Sequence, residues 1–95
     1  MTPMKTRYAE IPVYTTKDGS EIRELMHPAL HGNRLQSLAE ATVHPGQRTH
    51  LHRHARTDEL YHVTSGRGLM TLGEARFEVG AGDTVHIAPG TPHCI

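Results

Sequence analysis

Nine of the 95 residues are histidine, and five of these, His44, His50, His52, His54 and His62, crowd into residues 44–62, with His86 and His93 near the end. Imidazole is the commonest metal ligand and the usual acid or base at neutral pH, so the chemistry is sought where the histidines gather. They form no terminal run, which sets an expression tag aside. Over residues 49–54 an extended backbone sends alternate side chains to one face, placing His52 and His54 together as a chelating pair with His50 beside them. Beyond a polar turn, Glu59 opens the next apolar run, and in a hairpin its carboxylate can return towards the pair. His93, after Pro89-Gly90-Thr91-Pro92, can supply a third imidazole from a distant strand. Three nitrogens and one oxygen suit one divalent transition metal ion (Fe, Mn, Ni, Zn or Cu) better than calcium, and an octahedral ion would keep positions free for water or substrate. Imidazoles must shed protons to coordinate, so metal affinity is expected to fall as pH drops through about 6.5, the ordinary histidine value.

The elements that must position these groups are short. Turn signals at Asp18-Gly19, His31-Gly32-Asn33, Pro45-Gly46, Ser65-Gly66-Arg67-Gly68, Gly73-Glu74, Gly80-Ala81-Gly82-Asp83 and Pro89-Gly90 punctuate the chain and leave little room for helix. Strand-like runs lie between them at residues 11–16, 21–26, 49–54, 60–64, 69–72, 75–79 and 84–88. Residues 34–43 fit helical spacing (Leu35, Leu38, Ala39, Thr42) about as well as alternation, and are read as a strand because their neighbours need a sheet partner. The pattern predicts an all-β, antiparallel sandwich or barrel. Gly66, Gly68, Gly80 and Gly82 are expected as positive-φ turn residues, and not as a phosphate cradle, because no helix follows them.

The chain has the size of one small domain. Apolar burial contributes roughly 145 kcal/mol against an ordering cost of roughly 140 kcal/mol, which cancel. With no Trp, one Phe and one Cys, the expected staple is a metal, a partner subunit or both. Ten basic and ten acidic residues, interspersed, give no electrostatic footprint for nucleic acid or an anionic membrane. No stretch approaches the length of a membrane span, and the first twelve residues lack the apolar run of an export signal. A lone thiol, Cys94, fits a reducing cytoplasm.

At this point the sequence resembles the cupins. The family's first motif, Gly, five residues, His-x-His, three or four residues, Glu, six residues, Gly, is met by Gly46, His52, His54, Glu59 and Gly66. The second, Gly, five residues, Pro-x-Gly, two residues, His, is met by Gly82, Gly90 and His93, with Ala88 in place of the motif's Pro. The closing Asn of that motif is absent, because the chain stops two residues after His93. The resemblance implies a double-stranded β-helix, the jelly-roll barrel, here lacking its last strands or closed by another subunit. It divides the chain into N-terminal strands at residues 1–33, open to exchange with a partner in a homodimer, and a core at residues 34–95 carrying both motifs.

By the resemblance, His52, His54, Glu59 and His93 are the metal ligands. Asp58 can replace Glu59 within the motif's gap, but Glu59 is favoured because six residues then separate it from Gly66. His50, His44, His62 and His86 are expected at the surface or an interface, and Cys94 as an inert buried thiol facing away from His93. Tyr61, two residues beyond Glu59, shares its face, either as a catalytic proton donor to a metal-bound ligand or as the largest core side chain. Arg48 shares parity with His52 and either greets an anionic substrate at the barrel mouth or is solvated at a strand start. Two functions follow: a metal-dependent enzyme on a small organic molecule (dioxygenase-like, isomerase or lyase), or a sugar- or small-molecule-binding module with a structural metal.

Overall fold

The computed structural model describes residues 5–95, in two compact units, Met1–Gln47 and Arg48–Ile95. It is mostly antiparallel strand. Among the described residues no helix is long and apolar enough to cross a membrane.

The first unit holds β1 (Tyr14–Thr15), β2 (Glu21–Met26), the one-turn helix α1 (Pro28–His31) and β3 (Leu38–Thr42), in a sheet ordered β1-β2-β3. The β1–β2 turn is set by Asp18, whose carboxylate accepts from the amide and the hydroxyl of Ser20 (3.1 and 2.6 Å), while Gly19 takes the φ of 87° that the reversal needs. The expected strand at residues 11–16 is reduced to β1, because a 3-10 turn at Tyr8–Glu10 and the packing of Ile11 occupy the chain just before it. The helix α1 was not expected from the turn signals. His27 caps it by accepting the Ala29 amide on Nδ1 (3.0 Å), Pro28 fits the first helical position, and Gly32 ends it in the left-handed region. Residues 38–42 are the strand expected within 34–43, and Leu35, ahead of it, is 94% exposed.

The second unit carries β4 (Glu59–His62), β5 (Arg67–Leu72), β6 (Ala75–Gly80), β7 (Thr84–Ile87) and β8 (His93–Cys94). They form a β4-β7 pair and a sheet ordered β6-β5-β8. Alternation supplies the core: Met70, Val79, Val85 and Ile87 are buried, flanked by half-buried Tyr61, Val63, Leu72, Phe77 and Ile95. The β5–β6 hairpin turns on Gly73-Glu74 with positive φ at Gly73 alone, the pattern of a II′ turn.

Three expectations need correction. Residues 49–54 are extended but are not a regular strand. The Thr49 amide reaches the Ile95 carbonyl (2.7 Å), but the return bond from the Ile95 amide goes to the Thr49 hydroxyl (3.0 Å), so the ladder shrinks to one bridge between His52 and His93. Gly68 and Gly80 are not positive-φ turn residues, since both lie inside paired strands. At Gly68 an added Cβ would come 3.2 Å from Ile95, so glycine here answers to space. Cys94 faces away from His93, as register requires, but its thiol is only half-buried.

Candidate metal centre

Three stretches of the second unit converge on one point. His52 and His54 come from the extended segment, Glu59 from the first position of β4, and His93 from β8. One ligand atom from each lies within 4.8 Å of all the others. The bridge between His52 and His93, with amide–carbonyl bonds of 3.0 and 2.8 Å in both directions, fixes two of the imidazoles side by side, their ring centroids 4.2 Å apart. His54 is held by its carbonyl, which accepts the Gly90 amide (2.6 Å) in the turn leading to β8.

Glu59 arrives differently from the hairpin expected. Its strand does not pair with residues 49–54 but with β7, opposite Ile87, and alternation within β4 turns Glu59 and Tyr61 inward while Leu60 and His62 face out. The Glu59 carboxylate then lies 3.0 Å from His93 Nε2 and 3.4 Å from His54 Nε2.

The chemistry of this set fits a cation. His93 is fully buried, and both its Nε2 and Glu59 Oε1 are buried without a hydrogen bond, an arrangement that costs free energy unless something positive lies between them. Two donors about 2.1 Å from a shared ion are separated by ~3.0 Å at a right angle and ~3.4 Å at the tetrahedral angle. The separations of 3.0 and 3.4 Å at the Glu59 carboxylate match these values. Two of the three other ring nitrogens are engaged: His52 Nδ1 donates to the His50 carbonyl (2.7 Å) and His93 Nδ1 to the Thr91 carbonyl (2.9 Å). A carbonyl only accepts, so these bonds place a proton on Nδ1, and in the neutral rings Nε2 is then the lone-pair donor, the outer-shell arrangement of histidine ligands. His52 and His54 reach solvent while His93 does not, which leaves the centre approachable from one side.

The other expectations sort by face. Tyr61 stands edge-on to His93 (centroids 5.8 Å, 81° between planes) against the core, and among the described residues its hydroxyl makes no hydrogen bond to the four. Burial, with the Glu59 charge and Cys94 adding to it, raises its phenol pKa well above the ordinary tyrosine value, so it keeps its proton through the neutral range. Asp58 is turned outward onto His86 Nε2 (2.9 Å), which leaves Glu59 as the carboxylate of the cluster. His62 hydrogen-bonds the Thr84 hydroxyl (2.7 Å), and His44 lies 3.5 Å from Glu21, all exposed. His50 is outside the cluster and lends it only a backbone carbonyl. Arg48 does not join the four, and lines a separate groove. The orienting carbonyls of His50 and Thr91 escaped the sequence reading because every residue type carries one.

Comparison with known proteins agrees with this fold. The family model described as "Cupin domain" matches residues 39–95, and the chain belongs to that family. It is 53% identical over its whole length to an uncharacterized protein of Methanocaldococcus jannaschii, covering 76% of that protein. Among solved structures, a predicted oxalate decarboxylase from Thermotoga maritima superposes with a TM-score of 0.84 at 23% identity, over 96% of this chain and 84% of that one. That likeness establishes the fold: an all-β cupin domain.

Proposed function

We propose that the chain is a metal-dependent enzyme on a small organic substrate, with His52, His54, Glu59 and His93 as ligands and Tyr61 as proton donor. The observation that carries this reading is the pair of buried, unbonded donor atoms, Glu59 Oε1 and His93 Nε2, beside two imidazoles that reach solvent. A divalent transition metal bound there would supply Lewis-acid activation, or a place for O₂ beside the substrate. The chain's own residues do the rest. The Nδ1–H bonds orient the His52 and His93 imidazoles, and the bridge between these two residues holds them in register. Tyr61, protonated and beside His93, can give a proton to a substrate atom and take it back. The solvent side of the cluster, where His52 and His54 reach solvent, admits the substrate.

Oxalate is the first substrate to try, because the similar fold from Thermotoga maritima carries the name of a predicted oxalate decarboxylase. The test starts with metal analysis of untagged protein purified without chelator or nickel resin. Carbon dioxide release from oxalate, and oxygen uptake across a panel of small acids and ketones, then follow. One metal per chain with turnover on any of these, lost about 100-fold in Tyr61→Phe, supports the reading. One tightly held metal with no turnover makes the chain a binding module, and no metal removes the proposal.

The chain is further proposed to act as a homodimer in the cytoplasm. What supports the dimer is the first unit: β3 is an edge strand with exposed residues on both faces, Leu38 is 63% exposed, and a three-stranded sheet without a buried face is marginal alone. An exchange of residues 11–16 would preserve the β1–β2 pairing while making it between copies. Sedimentation equilibrium giving a single 10.5 kDa species across the micromolar range, with a melting temperature independent of concentration, would exclude the dimer.

A further inference from the structure

On the sheet face turned away from the metal ligands lies a groove of about 500 Å³ whose walls include Arg48, His50, Thr71, Arg76 and Cys94. The register explains its position. Thr71 is directly opposite both Arg76 on β6 and Cys94 on β8, so these three side chains share one face, while Met70, Leu72 and His93 share the core face. The two-residue strand β8 therefore has the metal cluster on one side and this groove on the other.

The groove is positive. Among the described residues neither Arg48 nor Arg76 lies within ion-pair distance of a carboxylate, whereas Arg7 and Arg23 each do. In a chain of zero formal net charge, two uncompensated guanidiniums on one concave wall form a local excess of charge that no accessible pH removes. A guanidinium fork matches the paired oxygens of a phosphate or carboxylate, and the Thr71 hydroxyl beside it can donate a further bond. The volume is within the ~300–1,000 Å³ range of small-molecule sites. We propose that this groove is a second binding site, independent of the metal centre, for a small anion bearing a phosphate or carboxylate group.

Cys94 makes the proposal measurable. It is the chain's only cysteine and is half-buried in the groove, so the rate of alkylation by iodoacetamide reports access to this site alone. The probes are inorganic phosphate and succinate, each against sodium chloride at equal ionic strength, with calorimetric titration of the same anions as a second readout that does not depend on the thiol. The expected result is saturable protection of at least about fivefold by one of the anions, with phosphate and succinate distinguishing the two ligand classes. Arg48→Gln and Arg76→Gln, both at exposed positions, should each raise the half-protecting concentration about tenfold, with unchanged circular dichroism and metal content. Protection should persist in Glu59→Gln, which alters the metal cluster at a residue that does not line the groove. No heat and no protection beyond chloride would overturn the proposal. Protection unaffected by either arginine variant, or abolished by Glu59→Gln, would also overturn it.

Discussion

Met70, Val79, Val85 and Ile87 close an apolar core within residues 48–95, whereas among residues 5–47 burial below a tenth of the surface reaches only Ile11 and Ser20. The candidate metal cluster belongs to the unit with the core. His93 is fixed because it is packed on all sides, and Glu59 because alternation on β4 puts it on the same face as Tyr61 and opposite Ile87. The first unit is held by polar contacts instead. Tyr8 donates to Glu40 (2.6 Å), Arg23 lies 4.6 Å over the Tyr8 ring, and the Arg23 guanidinium donates to the Ile11 carbonyl (2.6 Å). Such contacts define register but contribute little free energy where water competes. The difference teaches that four ligands can be held to a common point by a small core, provided that core lies directly beneath them.

The largest effect is expected from His93→Ala. It removes a fully buried ring, opens a cavity and leaves Glu59 Oε1 facing nothing, so urea unfolding should report a loss of about 3 kcal/mol together with loss of the metal equivalent. A full equivalent retained would show that the buried imidazole is not a ligand. The comparison of the two units is tested directly by a pair. Met70→Ala should cost about 2–5 kcal/mol, and Leu30→Ala, at a site 68% exposed in the first unit, within about 0.5 kcal/mol. Equal costs in denaturant melts would break it.

Next comes a pH effect with a defined sign. Because burial raises the Tyr61 phenol pKa, folded and unfolded chains both hold this proton below pH ~10, and stability is unaffected there. Above that value the unfolded phenol ionises first, so stability falls as pH rises. In Tyr61→Phe that fall should be shallower, and the last step of the ultraviolet phenolate titration should disappear. Loss of a step near pH ~10, with the last step retained, would place Tyr61 in water. The smallest effect belongs to the outward ion pair: Asp58→Asn should change stability by less than about 1 kcal/mol and leave metal content intact, while Glu59→Gln lowers metal affinity. The reverse outcome would exchange the roles of the two carboxylates.

Much of the second unit is legible in residue types. The Gly73-Glu74 turn defines the β5–β6 hairpin, the run at residues 84–88 alternates cleanly, and His-x-His followed by Glu59 and the distant His93 marks the metal set before any contact is known. The helix α1 was missed because a single capped turn has no period to detect, and its determinants, His27, Pro28 and Gly32, also read as loop. The weak strand at residues 49–54 was overread because alternation describes side-chain direction and not hydrogen bonding, and here a threonine hydroxyl takes a ladder position.

What the sequence determined by itself is what depends on local stereochemistry. Side-chain alternation makes His52 and His54 a pair, glycines with positive φ allow the reversals, and the polar–apolar pattern selects strand over helix. What only the tertiary structure decided depends on which strands meet. Glu59 faces the imidazoles because β4 pairs with β7, and Asp58 is excluded because it is held by His86 on the opposite face. The Nε2 atoms of His52 and His93 are left for the cluster because the backbone two residues before each histidine offers a carbonyl to its Nδ1. Pairing between strands far apart in the chain is chosen by the packing of the core as a whole, and no single stretch of residues carries that information.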